Sequence, residues 1–212
     1  MTSLNNRRPL KVRDTKLAKE FASFLSAKDI TPNQISIFSI IFSAFAATFL
    51  VLSSSQNWFF PLTAAIFIQL RLLCNLFDGM VAVEGGKKSL SGELFNDIPD
   101  RIADSLILIA AGYAVNFVSW CEVLGWCAAL MAVITAYIRT LATSIGAPAN
   151  FAGPMAKQHR MAVMTIACLL TNIEHSGFFI FVALLIIIFG SVITIYRRTI
   201  AAYNFLENKN YE

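Results

Sequence analysis

Apolar residues fall along this chain in long runs, and most polar residues are gathered between the runs. A bilayer-spanning helix needs roughly 20 apolar residues. Six stretches approach that length: 35–52, 58–83, 98–117, 123–143, 161–172 and 178–196. Polar residues interrupt or flank the second, third and fifth, and the fifth reaches span length only if it begins near Lys157. Ahead of the first run, KLAKEFASFLSAKD places Leu17, Phe21, Phe24 and Leu25 at helical spacing with lysines elsewhere. That pattern predicts an amphipathic helix lying on a membrane surface. TPNQIS then opens the first span, with Thr31 as its N-cap and proline in its first turn. The expected fold is all-α and polytopic: six transmembrane helices plus an N-terminal amphipathic juxtamembrane helix. The expected division is 1–30 for the N-terminus, 31–200 for one six-helix membrane domain and 201–212 for a tail.

Composition agrees with a membrane setting. Of the 212 residues, 57% are hydrophobic and 14% charged, where a soluble domain carries about a quarter charged. Mean hydropathy is +0.63. The net charge of +4 matters less than its placement. Arg7, Arg8, Lys11, Arg13, Lys16, Lys19 and Lys28 precede the first span. Lys87 and Lys88 follow the second, Lys157 and Arg160 the fourth, and Arg197, Arg198 and Lys209 the sixth. The alternate loops SSSQN, VSWCE and TNIEHSG hold no Lys or Arg. With six spans every basic segment falls on one face, which the positive-inside rule makes cytoplasmic, with both termini inside. The basic start MTSLNNRRPLKVRD has no apolar core behind it and does not read as a signal peptide. Cys74, Cys121, Cys127 and Cys168 lie in or beside apolar runs without metal-type spacing, and read as small buried residues. No nucleic-acid partner is expected.

The stretch from Asn75 to Arg101 breaks this pattern. Asn75, Asp78 and Ala82 share one stripe at the end of the second span; Gly92, Asn96 and Asp100 share another at the start of the third. The segment EGGKKSLS between them is polar and glycine-rich, so it can turn the chain back and set the stripes face to face. Oxygen ligands converging from two helices suit a hard divalent cation. Taken singly, each acid is equally well an interfacial residue at a helix end. Asp78 is the exception, because a carboxylate within an apolar span costs roughly 2.5–3.5 kcal/mol unless paired.

The full spacing, Asn75-x2-Asp78-Gly79-x2-Ala82-Val83-x8-Gly92-x3-Asn96-x3-Asp100, resembles the CDP-alcohol phosphatidyltransferase signature D-x2-D-G-x2-A-R-x8-G-x3-D-x3-D. TPNQIS resembles that family's amino-terminal signature, and the six-span topology matches. The departures are Asn75 and Asn96 at two of the four acidic positions and Val83 in place of the arginine. The resemblance implies Mg2+ or Mn2+ held by Asn75, Asp78, Asn96 and Asp100, with Asp100 also the general base. Asp97, one residue from Asn96 and on a stripe with Asp100 and Asp104, is a substitute ligand if Pro99 distorts the helix. Lys87 or Lys88 stand in for the lost arginine, or are simply solvated loop residues.

Carried further, the resemblance implies transfer of a phosphatidyl group from CDP-diacylglycerol to a small alcohol, with release of CMP. Asn33, Gln34, Ile35 and Ser36 would border the cytidine and diphosphate, with Gly79, Ala82, Val83, Ser89 and Gly92 completing that pocket. Arg139, Lys157 and Arg160 would bind a phosphorylated acceptor such as glycerol 3-phosphate or inositol phosphate; Lys157 and Arg160 serve equally as membrane anchors. A homodimer in a bacterial inner membrane, its site facing the cytoplasm, is also implied. Two other readings remain open: a degenerate member that binds CDP-lipid or a partner without turnover, and a small transporter.

Overall fold

The computed structural model describes residues 13, 15–55, 57–84, 86, 91–174 and 176–209. Among them are seven α-helices and no strand: α1 (Lys16–Ala27), α2 (Pro32–Leu52), α3 (Phe59–Glu84), α4 (Gly92–Tyr113), α5 (Cys121–Ser144), α6 (Lys157–Glu174) and α7 (Phe178–Lys209). Helix α1 is short and amphipathic. Ala18 and Ala22 are buried against the end of α3, while Leu17 and Phe24 stay exposed. Its C-terminal turn ends at Asp29 in the left-handed region (φ 57°), and the chain re-enters a helix at Thr31. Here the expected cap forms. Thr31 Oγ1 accepts from the Gln34 N–H at 3.3 Å, and Gln34 Oε1 accepts from the Thr31 N–H at 2.9 Å.

Helices α2 to α7 close a ring. α2 packs on both α3 and α4, α4 on α5, α5 on α7, α7 on α6, and α6 back on α3. The two polar stripes therefore do not belong to a tightly packed hairpin. α3 and α4 barely touch, because α2 is wedged between them, and long polar side chains span the gap. α2 can fill that place because Ser36, Ser39, Ser43 and Ala46 give it a narrow buried face. Ser39 and Ser43 donate to carbonyls one turn back, at 2.6 and 2.7 Å, so no hydroxyl on that face needs water. Between α4 and α5 the approach is closer still. A Cβ on Gly112 would lie 2.9 Å from the Cys121 carbonyl oxygen, and one on Gly125 2.9 Å from those of Leu108 and Ile109.

Four helices are long and apolar enough to cross a bilayer: Pro32–Ser55, Phe59–Val83, Cys121–Ser144 and Phe178–Asn208. Their outward faces carry Ile66, Leu130, Phe189 and other exposed apolar side chains, a surface suited to lipid. α4 and α6 have helical lengths in the same range but carry charges. α4 begins at Gly92, earlier than the expected 98, because the polar turn bearing Asn96 and Asp97 is already helical, and it continues through Pro99. α7 runs on to Lys209 instead of ending near 196.

Candidate active site

Helical spacing puts Arg71, Asn75 and Asp78 on one stripe of α3, and Asp97, Asp100 and Asp104 on one stripe of α4. α5 adds Arg139, α6 adds Lys157 and Arg160, and α7 adds Arg198. These side chains, apart from the deeper Arg71 and Asp104, line a cavity of about 470 Å³. Its wall brings together Asn75, Asp78, Gly79, Asn96, Asp97, Asp100, Arg139, Lys157 and Arg160, with Gln69, Thr135, Phe151 and Arg198 between them.

The carboxylates have distinct surroundings. Asp78, 4% exposed, accepts from Ser36 Oγ at 2.8 Å and from the Gly79 N–H at 2.5 Å. Among the described residues it has no cation in contact. Asp100 is held from both sides: Arg71 Nη2 lies 3.4 Å from Oδ1, and Lys157 Nζ is paired with Oδ2. Asp104 lies deeper, with Oδ1 on Arg71 and Oδ2 2.8 Å from Arg160 Nη2. Arg160 also donates to the Met155 carbonyl at 2.8 Å and to Thr135 Oγ1 at 3.2 Å. It is therefore turned into the bundle, tying α6 to α4 and α5. Asp97 faces Arg139 and, at 3.5 Å, Arg101.

Two features were not singled out from the sequence. Arg71 is fully buried and bridges two carboxylates of α4. Its signal was its cost, since a charge inside a span wants a partner. Arg198, read from the sequence only as one of the basic residues after the sixth span, donates to the carbonyls of Thr135 at 2.7 Å and Ala152 at 3.0 Å. It thereby fixes the loop before α6. In that loop Gly153 adopts φ 122° so close to Thr194 that a Cβ would lie 2.5 Å from its methyl, and Thr194 Oγ1 accepts from the Met155 N–H at 3.0 Å.

Other expected residues are placed differently. Gln34 is spent on the α2 cap, and Ile35 is buried with Ala18, Met80 and Val81. Asn33, Ala82, Val83 and Gly92 are not on the cavity wall, and Ser36 reaches it only through Asp78. Ser89, Lys87 and Lys88 lie outside the described residues.

A hard divalent cation requires converging oxygen ligands. Asn75 lines the cavity, and its amide nitrogen is buried with no partner. Rotation of that amide presents an oxygen in its place. With Asp78 and the exposed Asn96, this is an oxygen set that fits a hard cation. No group of three or more His, Cys, Asp or Glu among the described residues could hold a metal; two of the four positions are amides instead.

A ring of helices thus surrounds one polar cavity, with carboxylates on two helices and cations on three more. The chain belongs to the CDP-alcohol phosphatidyltransferase family, whose model matches residues 29–203. It is thus an integral membrane enzyme of phospholipid biosynthesis, in a family that uses divalent metals. It is 24% identical over 197 residues to a phosphatidylinositol phosphate synthase of Streptomyces avermitilis, covering 88% of this chain and 78% of that one. It is 26% identical over 206 residues to an uncharacterised protein of Aquifex aeolicus, covering 95% and 97%. Two structures of the Mycobacterium tuberculosis phosphatidylinositol phosphate synthase PgsA1 share the fold at 18% identity. The one with manganese and citrate gives a TM-score of 0.73 and covers 87% of this chain and 88% of that one. The one with CDP-DAG gives 0.72 and covers 89% and 94%.

Proposed function

We propose that this protein transfers a phosphatidyl group from CDP-diacylglycerol to a small phosphorylated alcohol, with release of CMP. The observation that carries this reading is that Arg139 and Lys157 line the same cavity as Asp78 and Asp100. An anionic acceptor held by those cations presents its hydroxyl beside Asp100. Asp100 takes the hydroxyl proton as the oxygen bonds to the β-phosphorus and the bond to CMP breaks. Lys157, against Asp100, holds that carboxylate in place. A divalent ion, Mg2+ or Mn2+, held by Asp78 and the amide oxygens of Asn75 and Asn96, supplies charge stabilisation for the diphosphate. Gly79 leaves room beside Asp78 for the diphosphate. Asp97 is the further candidate ligand and Arg160 the further acceptor contact, each already engaged by an ion pair.

The proposal includes six spans. At 1.5 Å per residue the 22 residues of α4 and the 18 of α6 measure ~33 and ~27 Å, and α4 and α6 turn buried charges inward to partners. The distribution of Lys and Arg supports cytoplasmic termini and site, in a bacterial inner membrane. The reading also includes one membrane domain over 31–200 and a homodimer.

The test is the purified protein with radiolabelled CDP-diacylglycerol, Mg2+ or Mn2+, and a panel of phosphorylated and plain alcohols, following CMP. CMP release dependent on a phosphorylated acceptor is the expected result; release with serine alone, or with none, overturns the acceptor assignment. A second reading, lipid binding without turnover, is favoured by the cation already on each oxygen of Asp100, and predicts no CMP with any acceptor.

A further inference from the structure

Charges of both signs are gathered at this site without an added ion. Asp78, Asp100 and Asp104 contribute three negative charges; Arg71, Arg160 and Arg198, all buried, contribute three positive ones, and the partly exposed Lys157 adds a fourth. Arg71 is the unusual member. It is fully buried behind Asp100, off the cavity wall, and its Nε and Nη1 have no acceptor. An arginine kept in the interior with two unmet donors is costly, so what its charge does there needs an account.

Asp100 gives that account. Each of its oxygens already faces a cation, Arg71 on one side and Lys157 on the other. Asp78 is the member of the trio with no ion pair among the described residues, and the neighbouring Asn75 and Asn96 offer oxygen without charge. A divalent ion is attracted to Asp78; a second, at Asp100, would meet two positive charges in a low-dielectric site. We propose that the cavity takes one divalent ion, at Asp78 with the amide oxygens of Asn75 and Asn96, and that Arg71 is a built-in cation serving Asp100 where a second ion would otherwise sit. The ion's presence rests on the function proposed above; the count and the role of Arg71 go beyond it.

The experiment is a titration of the full-length protein in detergent micelles with Mn2+ alone, bound and free metal being counted by electron paramagnetic resonance. One Mn2+ per chain, with the spectrum of an isolated ion, is expected. The variant Asn75→Asp with Asn96→Asp restores two negative charges and is expected to bind two, with an exchange-coupled spectrum. Arg71→Gln is expected to tighten Mn2+ by about tenfold or more, whereas Arg71→Lys, which keeps the charge, is not. If Arg71→Gln is not recovered folded, the count in the Asn75/Asn96 variant decides. Two Mn2+ in the wild-type chain, or one in both the wild type and that variant, overturns the inference while leaving phosphatidyl transfer intact. No bound Mn2+ overturns it as well, and CMP release in the same sample then tells whether the transfer reading falls with it.

Discussion

A single Nη2 of Arg139 lies 2.8 Å from both carboxylate oxygens of Asp97. The pair links α5 to α4 at the cavity wall, with the guanidinium 5.5 Å above the Phe151 ring. Asp97 therefore occupies the charge that an anionic acceptor would use. Arg139→Ala is expected to raise the acceptor KM by about 10- to 100-fold with little change for the CDP-lipid. Asp97→Asn should lower the acceptor KM by at most about fivefold, since a half-exposed pair is weak. Steady-state kinetics with each substrate varied in turn check both. A weakened response of Asp97→Asn to Mn2+ would return Asp97 to the metal ligands.

Asp100→Asn is expected to reduce CMP release by at least about 100-fold, the usual scale for losing a general base. The fold should survive, because Arg71 keeps Asp104 as its counter-charge. Turnover and thermal melting of the same preparation separate the two effects.

Asp104→Asn should act on stability. It leaves Arg71 and Arg160, both buried, short of a negative charge. Breaking a buried ion pair on one side costs about 3–5 kcal/mol. The expected outcome is a marked drop in melting temperature in detergent, larger than that of Asp97→Asn.

Gly125→Leu should separate α4 from α5, since even a Cβ there meets backbone oxygens at 2.9 Å. Overpacking of this kind typically costs about 1–3 kcal/mol, and more where backbone rather than side chain must yield. Size-exclusion profiles and melting of the purified variant check this.

Chelation should stop CMP release, and Mg2+ or Mn2+ should restore it. The melting temperature should shift by only a few degrees, because Asp100 and Asp104 are already paired with cations of the chain itself. A collapse of the fold on chelation would mean that metal binding contributes a large part of the folding free energy.

Local relations were the legible part. The Thr31–Gln34 cap, the amphipathic α1 and the faces shared by Asn75 with Asp78 and by Asn96 with Asp100 all follow from spacing within one helix. Relations between helices did not follow. Nothing in the order of the runs said that α2 would lie between α3 and α4, and the hairpin expected from EGGKKSLS overlooked it. For the same reason Gln34 and Ile35 were assigned to a nucleotide pocket, whereas the cap and the packing of α1 claim them. Arg71 was visible as a residue, but its role depended on which acids the ring would place opposite it.

The bridge from Arg71 to Asp104 also bears on how the protein enters its membrane. The partners are 33 positions apart, so the segment bearing Arg71 leaves the ribosome before its counter-ion does. A lone arginine at the middle of a span is disfavoured by about 2.5–3.5 kcal/mol on insertion scales. Insertion of α3 is therefore weakened until α4 arrives, and a truncation ending in the α3–α4 loop should insert less efficiently than the longer chain.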